Sequence, residues 1–217
     1  MNQSGALIAT ICARGGSKVL PRKNVLPFAG LPLIAHSIRQ ALECPLIDGV
    51  YVSTDDEEIA QVAREHGARV PYLRPAALAT DTAGKLPAIE HLAAHLEAGG
   101  TQIGTIVDLQ PTSPLLSAHD LDAALALRGQ ADLVVSVTQP SHNPYYTLVE
   151  ATPEGGLRLS KPLASGLAVA RQAAPTVLGL NGAIYVWRRD ALQRAVRGGF
   201  WSVNMRPLFM PPERSID

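Results

Sequence analysis

The sequence has little cysteine and no net charge, and both shortages narrow the possible functions. Two of its 217 residues are cysteines, Cys12 and Cys44. We expect no disulfide between them, which fits a reducing cytoplasm. Lysine plus arginine equals aspartate plus glutamate at 19 each, so no overall charge favours nucleic acid or an anionic membrane surface. Any anion must therefore be recognised locally.

Long apolar segments and the common phosphate-binding motifs are missing as well. No uninterrupted apolar run approaches the ~18 residues of a membrane span, and the first residues lack the pattern of a signal peptide. The absence of GxxxxGK(S/T) excludes a P-loop, and the absence of GxGxxG after the first strand argues against a dinucleotide-binding dehydrogenase. What remains is a globular composition, 47% hydrophobic and 18% charged, with enough apolar residues for a core.

Strand-like and helix-like segments alternate along the first part of the chain. The predicted strands are 7–13, 49–53, 68–72, 105–109, 133–137 and 181–187, and the predicted helices are 33–42, 54–65, 86–96, 120–127 and 188–196. Thr54 and Asp55 are the expected N-caps of the second helix. This rhythm predicts an α/β fold, a mostly parallel, Rossmann-like sheet flanked by helices on both faces.

Residues 139–180 break that rhythm, because they are rich in proline, glycine and serine and have only short apolar runs. They predict a hairpin or extended arm inserted into a single domain that spans 1–217. A final extended piece is expected at 201–210. Since parallel α/β sheets bind ligands at the carboxyl ends of their strands, function should lie in the loops after Ala13, Ser53, Tyr72 and Leu109.

The strongest local signal is the segment ARGGSK at 13–18, directly after the first strand. Its two glycines permit close approach of the backbone to a ligand, with N–H groups turned inward. Arg14 and Lys18 add positive charge, and Lys23 follows in the segment PRKN at 21–24. Two of the four lysines of the chain thus fall in one short stretch. The segment is suited to a polyphosphate, although a solvated surface loop would look similar.

Short blocks along nearly the whole chain carry a more specific resemblance. They are ARGGSK at 13–18, LPRKN at 20–24, VSTDDEEIA at 52–60, LRPAALATDTA at 73–83, LQPTSPL at 109–115, RQ at 171–172, NGAIYV at 181–186 and SID at 215–217. Each block alone is weak evidence, whereas their common order argues against coincidence. The sequence resembles the N-acylneuraminate cytidylyltransferase family, the CMP-sialic acid synthetases.

The resemblance implies transfer of CMP from CTP to a sialic-acid-like 2-keto sugar acid by a magnesium-dependent homodimer. The nucleotide-binding residues that it implies are Arg14, Ser17, Lys18, Lys23, Asn24, Arg74, Ala83, Lys85 and Gln110; Arg14 and Lys18, together with Arg171, are also expected to be catalytic. The sugar is expected to contact Tyr146, Arg171, Asn181, Tyr185, Phe200 and Trp201. Phe200 and Trp201 would reach the pocket of a second subunit or pack within their own. Asp217 is the expected magnesium ligand.

Four positions depart from the family pattern, and they leave alternatives open. Val19 replaces a glycine, Lys85 a small hydroxyl residue and Tyr146 a lysine, while the chain stops at Asp217, two residues before a second expected aspartate. The acceptor could therefore be another acid, such as 3-deoxy-manno-octulosonate, or a non-sugar alcohol. A catalytically inactive nucleotide-binding module is the more distant alternative.

One further pair of side chains has a spacing that can bind metal. His91 and His95 are four residues apart on a predicted helix, as in many zinc sites. The sequence offers no third ligand near them, so we interpret the pair as part of a solvated helix face.

Overall fold

Six strands form the central sheet of the computed structural model, which describes residues 5–18, 20–163 and 171–216. In chain order the strands of the structure are β1 Ala6–Cys12, β2 Pro27–Phe28, β3 Leu31–Pro32, β4 Gly49–Ser53, β5 Ile103–Leu109, β6 Leu133–Thr138, β7 Val149–Ala151, β8 Leu157–Leu159, β9 Gly179–Arg188 and β10 Met205–Phe209. The central sheet has the order β10-β6-β9-β5-β1-β4, while β2 pairs with β3 and β7 with β8.

The central sheet is parallel except at β9. Strand β1 pairs in parallel with β4 and β5, and β10 with β6, whereas β9 runs antiparallel between β5 and β6. The amino-terminal end of β9 therefore lies at the edge where β1, β5 and β6 end. The predicted mostly parallel α/β fold is confirmed.

Helices cover both faces of this sheet. They are α1 Leu33–Glu43, α2 Glu57–Glu65, α3 Lys85–Ala98, α4 Ala118–Ala126 and α5 Arg189–Gly198. Because successive side chains of a strand point to opposite faces, Leu7 and Ala9 of β1 pack in one core with α1, α2 and α4, and Ile8 packs in the other with α3 and α5. None of the helices in the described ranges is long and apolar enough to cross a membrane.

Two predictions of secondary structure are wrong, one for the start of a helix and one for a strand. The N-cap of α2 is Asp56, whose carboxylate accepts a hydrogen bond from Ile59 N at 3.1 Å, rather than Thr54 or Asp55. Thr54 is still part of the sheet edge, because it forms an isolated bridge with Leu73. Residues 68–72 do not form a strand; they contribute one isolated bridge, Tyr51 to Arg69. Pro71 has no N–H to donate, which prevents a continuous ladder here.

The segment after β6 contains the expected hairpin. Strands β7 and β8 pair antiparallel, and Gly155 turns between them with a φ of +81°. Leu157 is 74% exposed, which shows that this hairpin lies outside the main core. The arm leaves the sheet at Thr138 and returns at Gly179, and these two residues pair with each other. Residues 164–170 of the arm lie outside the described ranges.

Candidate active site

Three cavities that share Lys85 lie along the carboxyl edge of the sheet. The first, here called the loop cavity, has a volume of about 390 Å³ and is lined by Cys12, Ala13, Arg14, Ser17, Lys18, Lys23, Asn24, Lys85, Gln110, Pro111 and Thr112. The Arg74 cavity, about 240 Å³, is lined by Cys12, Arg14, Arg74, Leu78, Thr80, Asp81, Ala83, Gly84, Lys85 and Ala88. The Phe200 cavity, about 420 Å³, is lined by Gly84, Lys85, Leu86, Pro87, Ile89, Asp108, Tyr185, Trp187, Ala195, Val196, Gly199 and Phe200.

The loop after β1 is held by the start of α2. Gly15 N donates to Asp55 Oδ1 at 3.1 Å, and a side chain at Gly15 would collide with the carboxylate of Asp56. Ser17 N donates to Gly15 O at 2.9 Å. The amides of Gly15 and Ser17 therefore already have protein acceptors. We expected the glycine-containing loop to turn its N–H groups toward a ligand, and for these two amides that expectation is wrong. An anion at this loop would therefore be bound by the charged side chains.

Two cations of this loop contact an acidic residue that the sequence did not single out. The carboxylate of Asp81 lies 3.1 Å from Arg14 Nη1 and 2.5 Å from Lys18 Nζ. Arg14 Nη1 also donates to Thr80 O at 3.0 Å. The hydrogen bond from Lys18 lowers the pKa of Asp81. Asp81 thus supplies a negative charge at the place where a phosphate is expected.

The side chain of Asn24 adds a buried acceptor to the loop cavity. Asn24 is 6% exposed, and its Nδ2 donates to Arg14 O at 3.2 Å. Its Oδ1 has no hydrogen-bond partner among the described residues. Because buried polar atoms are costly when unsatisfied, this oxygen lacks a hydrogen bond that a donor reaching this wall of the loop cavity would supply.

Arg74 is fixed to the end of β4. It is 7% exposed, its Nε donates to Ser53 Oγ at 3.0 Å, and its Nη2 donates to Ser53 O. These bonds use only part of a guanidinium that has five N–H donors. Arg74 therefore faces its cavity from a rigid position, with Ala83 and Lys85 on the wall beside it.

Gln110 follows β5 and is fixed on several sides. Its backbone N donates to Ala183 O at 3.1 Å, and its carbonyl accepts from Ser37 Oγ at 2.9 Å. The side-chain Nε2 donates to Thr112 Oγ1 at 3.0 Å. Gly182, at a φ of +77°, passes so close that a Cβ there would lie 2.9 Å from Gln110 Oε1. The glycine makes room for this amide at the wall of the loop cavity.

A buried ion pair lies where the cavities meet. Lys85 Nζ contacts Asp108 Oδ2, and Thr10 Oγ1 donates to Asp108 Oδ1 at 3.2 Å. Burial alone would lower the pKa of Lys85, but the carboxylate of Asp108 reverses this and raises the pKa. The ammonium also lies 5.3 Å from the ring centroid of Tyr185. Sequence reasoning missed Asp108, although a carboxylate inside the apolar run IVDL of β5 requires a partner.

The Phe200 cavity is mostly apolar. The ring of Phe200 lies 6.1 Å from that of Tyr185 and 6.0 Å from that of Trp187, centroid to centroid, within one chain. Trp187 is 1% exposed, and its Nε1 has no hydrogen-bond partner among the described residues. Trp201 packs on Phe200 at 5.0 Å but is itself 76% exposed. Of these two aromatics, Phe200 belongs to the cavity of its own chain, and Trp201 faces outward.

Other residues of the implied site lie apart from these cavities. Tyr146 is 40% exposed in the turn at 143–147. Asn181 accepts from Ser136 Oγ at 2.6 Å and donates to Ser215 Oγ at 2.9 Å, so its amide ties β9 to β6 and to the last residues. Neither Tyr146 nor Asn181 lines one of the three cavities. Val19, Asp217 and the side chain of Arg171 lie outside the described part of the structure.

The histidine pair of α3 has an explanation other than a solvated face. His91 Nδ1 is 2.7 Å from the hydroxyl of Tyr72, and the ring of His95 lies 4.7 Å from the Tyr72 ring. The two histidines thus fix the segment that precedes Arg74. Across residues 5–18, 20–163 and 171–216, no group of three or more His, Cys, Asp or Glu side chains could hold a metal ion. Cys12 and Cys44 are free thiols, as expected.

Comparisons with known proteins identify the family of this chain. The family described as cytidylyltransferase matches residues 8–144. The CMP-N,N'-diacetyllegionaminic acid synthase of Campylobacter jejuni is 35% identical over 189 residues, covering 86% of this chain and 79% of that protein. The N-acylneuraminate cytidylyltransferase of Oncorhynchus mykiss is 32% identical over 215 residues, covering 97% of this chain and 47% of that protein.

A solved structure has the same fold at lower identity. The CMP:2-keto-3-deoxy-manno-octonic acid synthetase, in complex with CTP, superimposes with a TM-score of 0.69 at 20% identity, covering 95% of this chain and 90% of the other. A likeness at this identity supports the fold alone. Together with the loop cations, Arg74 and Gln110 on one edge of the sheet, the family match and the two relatives lead to one conclusion: the chain belongs to the cytidylyltransferase family, in the group of the N-acylneuraminate cytidylyltransferases, and is a nucleotidyltransferase.

Proposed function

We propose that the protein transfers CMP from CTP to a sialic-acid-like 2-keto sugar acid and releases pyrophosphate. The observation that carries this proposal is the meeting of the loop cavity, the Arg74 cavity and the Phe200 cavity at Lys85. One of them has the cations that a triphosphate needs, the second has a fixed guanidinium, and the third has an apolar lining. A donor nucleotide and an acceptor can thus be bound side by side.

The nucleotide fits the first two cavities. We assign the triphosphate to Arg14, Ser17, Lys18 and Lys23 of the loop cavity, where charge-assisted contacts are strongest. The cytosine is assigned to the region between Arg74 and Gln110. Their donors and acceptors can separate cytosine from uracil, because the two bases exchange a donor for an acceptor on the Watson–Crick edge. Equal turnover of UTP would contradict this assignment.

The reaction is an in-line displacement at the α-phosphorus. The anomeric hydroxyl oxygen of the acid attacks, its proton passes to water, and the bond to the bridging oxygen breaks with its electron pair on pyrophosphate. The protein contributes mainly positioning and charge. Negative charge grows on the departing pyrophosphate, so Arg14 and Lys18 stabilise the transition state more than bound CTP. Removing one such contact typically lowers kcat about 10²- to 10³-fold.

The acceptor is assigned to the Phe200 cavity and its surroundings. The named substrates of the Campylobacter and trout relatives are sugar acids of the sialic type. We assign the acceptor carboxylate to Arg171, which begins a 3-10 turn at the end of the arm. An Arg171→Ala variant is expected to raise the Michaelis constant for the sugar and leave that for CTP almost unchanged, since a guanidinium–carboxylate contact is lost.

Magnesium is part of this proposal, but the described carboxylates do not form a site for it. Asp81 is bonded to Arg14 and Lys18, and Asp108 to Lys85. Magnesium bound to a triphosphate needs only one or two protein carboxylates, and Asp217 is our candidate. We assign no catalytic step to the metal. Dependence of the activity on added magnesium, and its loss in an Asp217→Asn variant, would test this assignment.

We further propose that the protein works as a homodimer in the cytoplasm. The arm exposes apolar side chains, among them Leu157 at 74% and Val149 at 53%, and outside the arm Trp201 is 76% exposed. Exposed apolar patches of this kind mark protein interfaces. Light scattering that gives a monomer at micromolar concentration would overturn the dimer. The free thiols of Cys12 and Cys44 and the use of CTP favour the cytoplasm.

The function is tested by mixing the protein with CTP, magnesium and a panel of acids. The panel contains N-acetylneuraminate, N,N'-diacetyllegionaminate and 3-deoxy-manno-octulosonate, and the readouts are pyrophosphate release and the mass of the CMP-linked product. We expect product with a sialic-type acid. Product only with octulosonate would change the acceptor class. CTP binding without pyrophosphate from any acid would indicate an inactive nucleotide-binding module and overturn the proposal.

A further inference from the structure

The position of Lys85 gives it a place in the reaction that the loop cations do not have. Lys85 is the residue common to the loop cavity, the Arg74 cavity and the Phe200 cavity. If the nucleotide occupies the first two and the acceptor the third, as proposed above, then the reacting atoms meet beside this side chain. About a third of the side chain is exposed, so its methylene stem forms part of the cavity walls.

The ammonium of Lys85 has more hydrogen-bond donors than its contacts in the structure use. In the described part of the chain its one charged contact is Asp108, while the ring of Tyr185 lies 5.3 Å away. An ammonium has three N–H donors, so two are free for a ligand. The nitrogen itself is buried beside Asp108, so a contact with a ligand requires rotation about the terminal bonds of the flexible stem.

The pair is not explained by stability alone. Asp108 is completely buried and Thr10 is its other hydrogen-bond donor. A buried ion pair is costly to desolvate, and apolar side chains of similar volume often serve stability as well or better. A charge kept at low dielectric interacts strongly with a ligand, because water does not screen it.

We propose that Lys85 is a catalytic residue and that Asp108 is the residue that positions it. The Lys85 ammonium donates to a non-bridging oxygen of the α-phosphate as the acceptor oxygen bonds to phosphorus and pyrophosphate leaves. This contact strengthens as charge accumulates on the five-coordinate phosphorus, so it raises kcat more than it improves CTP binding. Asp108 keeps the ammonium charged and aimed at the junction. This inference rests on the proposed function.

Three variants separate this role from a structural one: Lys85→Met, Asp108→Asn and the double variant. Lys85→Met leaves the Asp108 carboxylate buried without its cation, with Thr10 as its remaining donor, and we expect lower thermal stability together with a kcat about 10²- to 10³-fold lower. The double variant removes both charges, so its stability should recover while kcat stays as low as in Lys85→Met. Lys161→Met is the matched control, since that lysine lies 4.9 Å from the Tyr145 ring in the arm, outside the three cavities.

The pH dependence of Asp108→Asn gives a readout that a structural role would not change. Without the carboxylate, burial lowers the pKa of Lys85 against the smaller opposing effects of Cys12 and Tyr185, which the variant leaves in place. The kcat should therefore fall at a lower alkaline pH than in the unaltered protein. Recovery of the full kcat in the double variant, or an unchanged alkaline limb in Asp108→Asn, would overturn the inference and leave the proposed function intact. Failure of the unaltered protein to transfer CMP to any acid would overturn both.

Discussion

A single methyl group at Gly182 tests the position of Gln110. Gly182 has a φ of +77°, and a Cβ there would lie 2.9 Å from Gln110 Oε1. In a Gly182→Ala variant the left-handed backbone lowers the free energy of unfolding by about 1–2 kcal/mol. For a chain of this size, that change lowers Tm by about 2–8 °C. The clash involves the end of a flexible side chain, so Gln110 moves and the fold persists. If one ligand hydrogen bond is lost, kcat/KM for CTP should fall about 2- to 10-fold.

The control for this variant is Gly100→Ala. Gly100 has a φ of +93°, and a Cβ there would have no neighbour within 4 Å. It follows α3 at the opposite edge of the sheet from the cavities. Both variants should lose similar stability in thermal unfolding, but only Gly182→Ala should change the kinetics with CTP. Equal kcat/KM values for the two variants would refute the assignment of Gln110 to the nucleotide.

Three further predictions concern charges. Arg189, whose side chain is 9% exposed, pairs with Glu90 and Glu97 of α3. Because the glutamates are partly exposed, Arg189→Met should lower the free energy of unfolding, measured by urea titration, by about 2–3 kcal/mol, which is less than the ~3–5 kcal/mol typical of a fully buried pair. Asp81→Asn should lower the Michaelis constant for CTP severalfold, because it removes the carboxylate that contacts Arg14 and Lys18; a higher constant would mean that Asp81 assists binding. Burial raises the pKa of Asp120, but hydrogen bonds from Arg214 and Ser117 outweigh it and lower the pKa. This stabilisation is present above the ordinary value of 3.8 and is lost as the pH falls through the lower folded value. The unaltered protein should therefore lose stability faster than Asp120→Asn in acid, and parallel curves would contradict this.

Much of the fold and the grouping of the residues that line the loop cavity follow from local sequence. The continuous apolar run of β1 predicts a strand buried on both faces, and the apolar residues of 105–109 and 133–137 predict two more strands; all three are in the sheet. Because parallel strands end at one edge, residues directly after them converge, as Arg14 and Gln110 do. The loop cations could thus be grouped before any contact was known.

The rest depends on contacts that no local pattern contains. The antiparallel placement of β9 is decided by which strands pair, and its apolar run looks the same in either direction. Asp108 reads as a polar residue in a strand until Lys85, 23 positions earlier, is brought next to it. The contacts of Asp81 with the loop cations likewise depend on folding of the segment after Arg74. Long-range charge pairs of this kind require the tertiary structure.

The pairing of Thr138 with Gly179 links the arm to the wall of the loop cavity. Two residues separate Leu180, which pairs with Val137, from Ala183, whose carbonyl accepts from Gln110 N. Gly182, beside the Gln110 amide, lies between them. A displacement of the arm at Leu180 would therefore reach the Gln110 amide through one short stretch of backbone. If a second copy packs on the arm, specific activity should rise with enzyme concentration, and association of the two copies and binding of CTP would be thermodynamically linked.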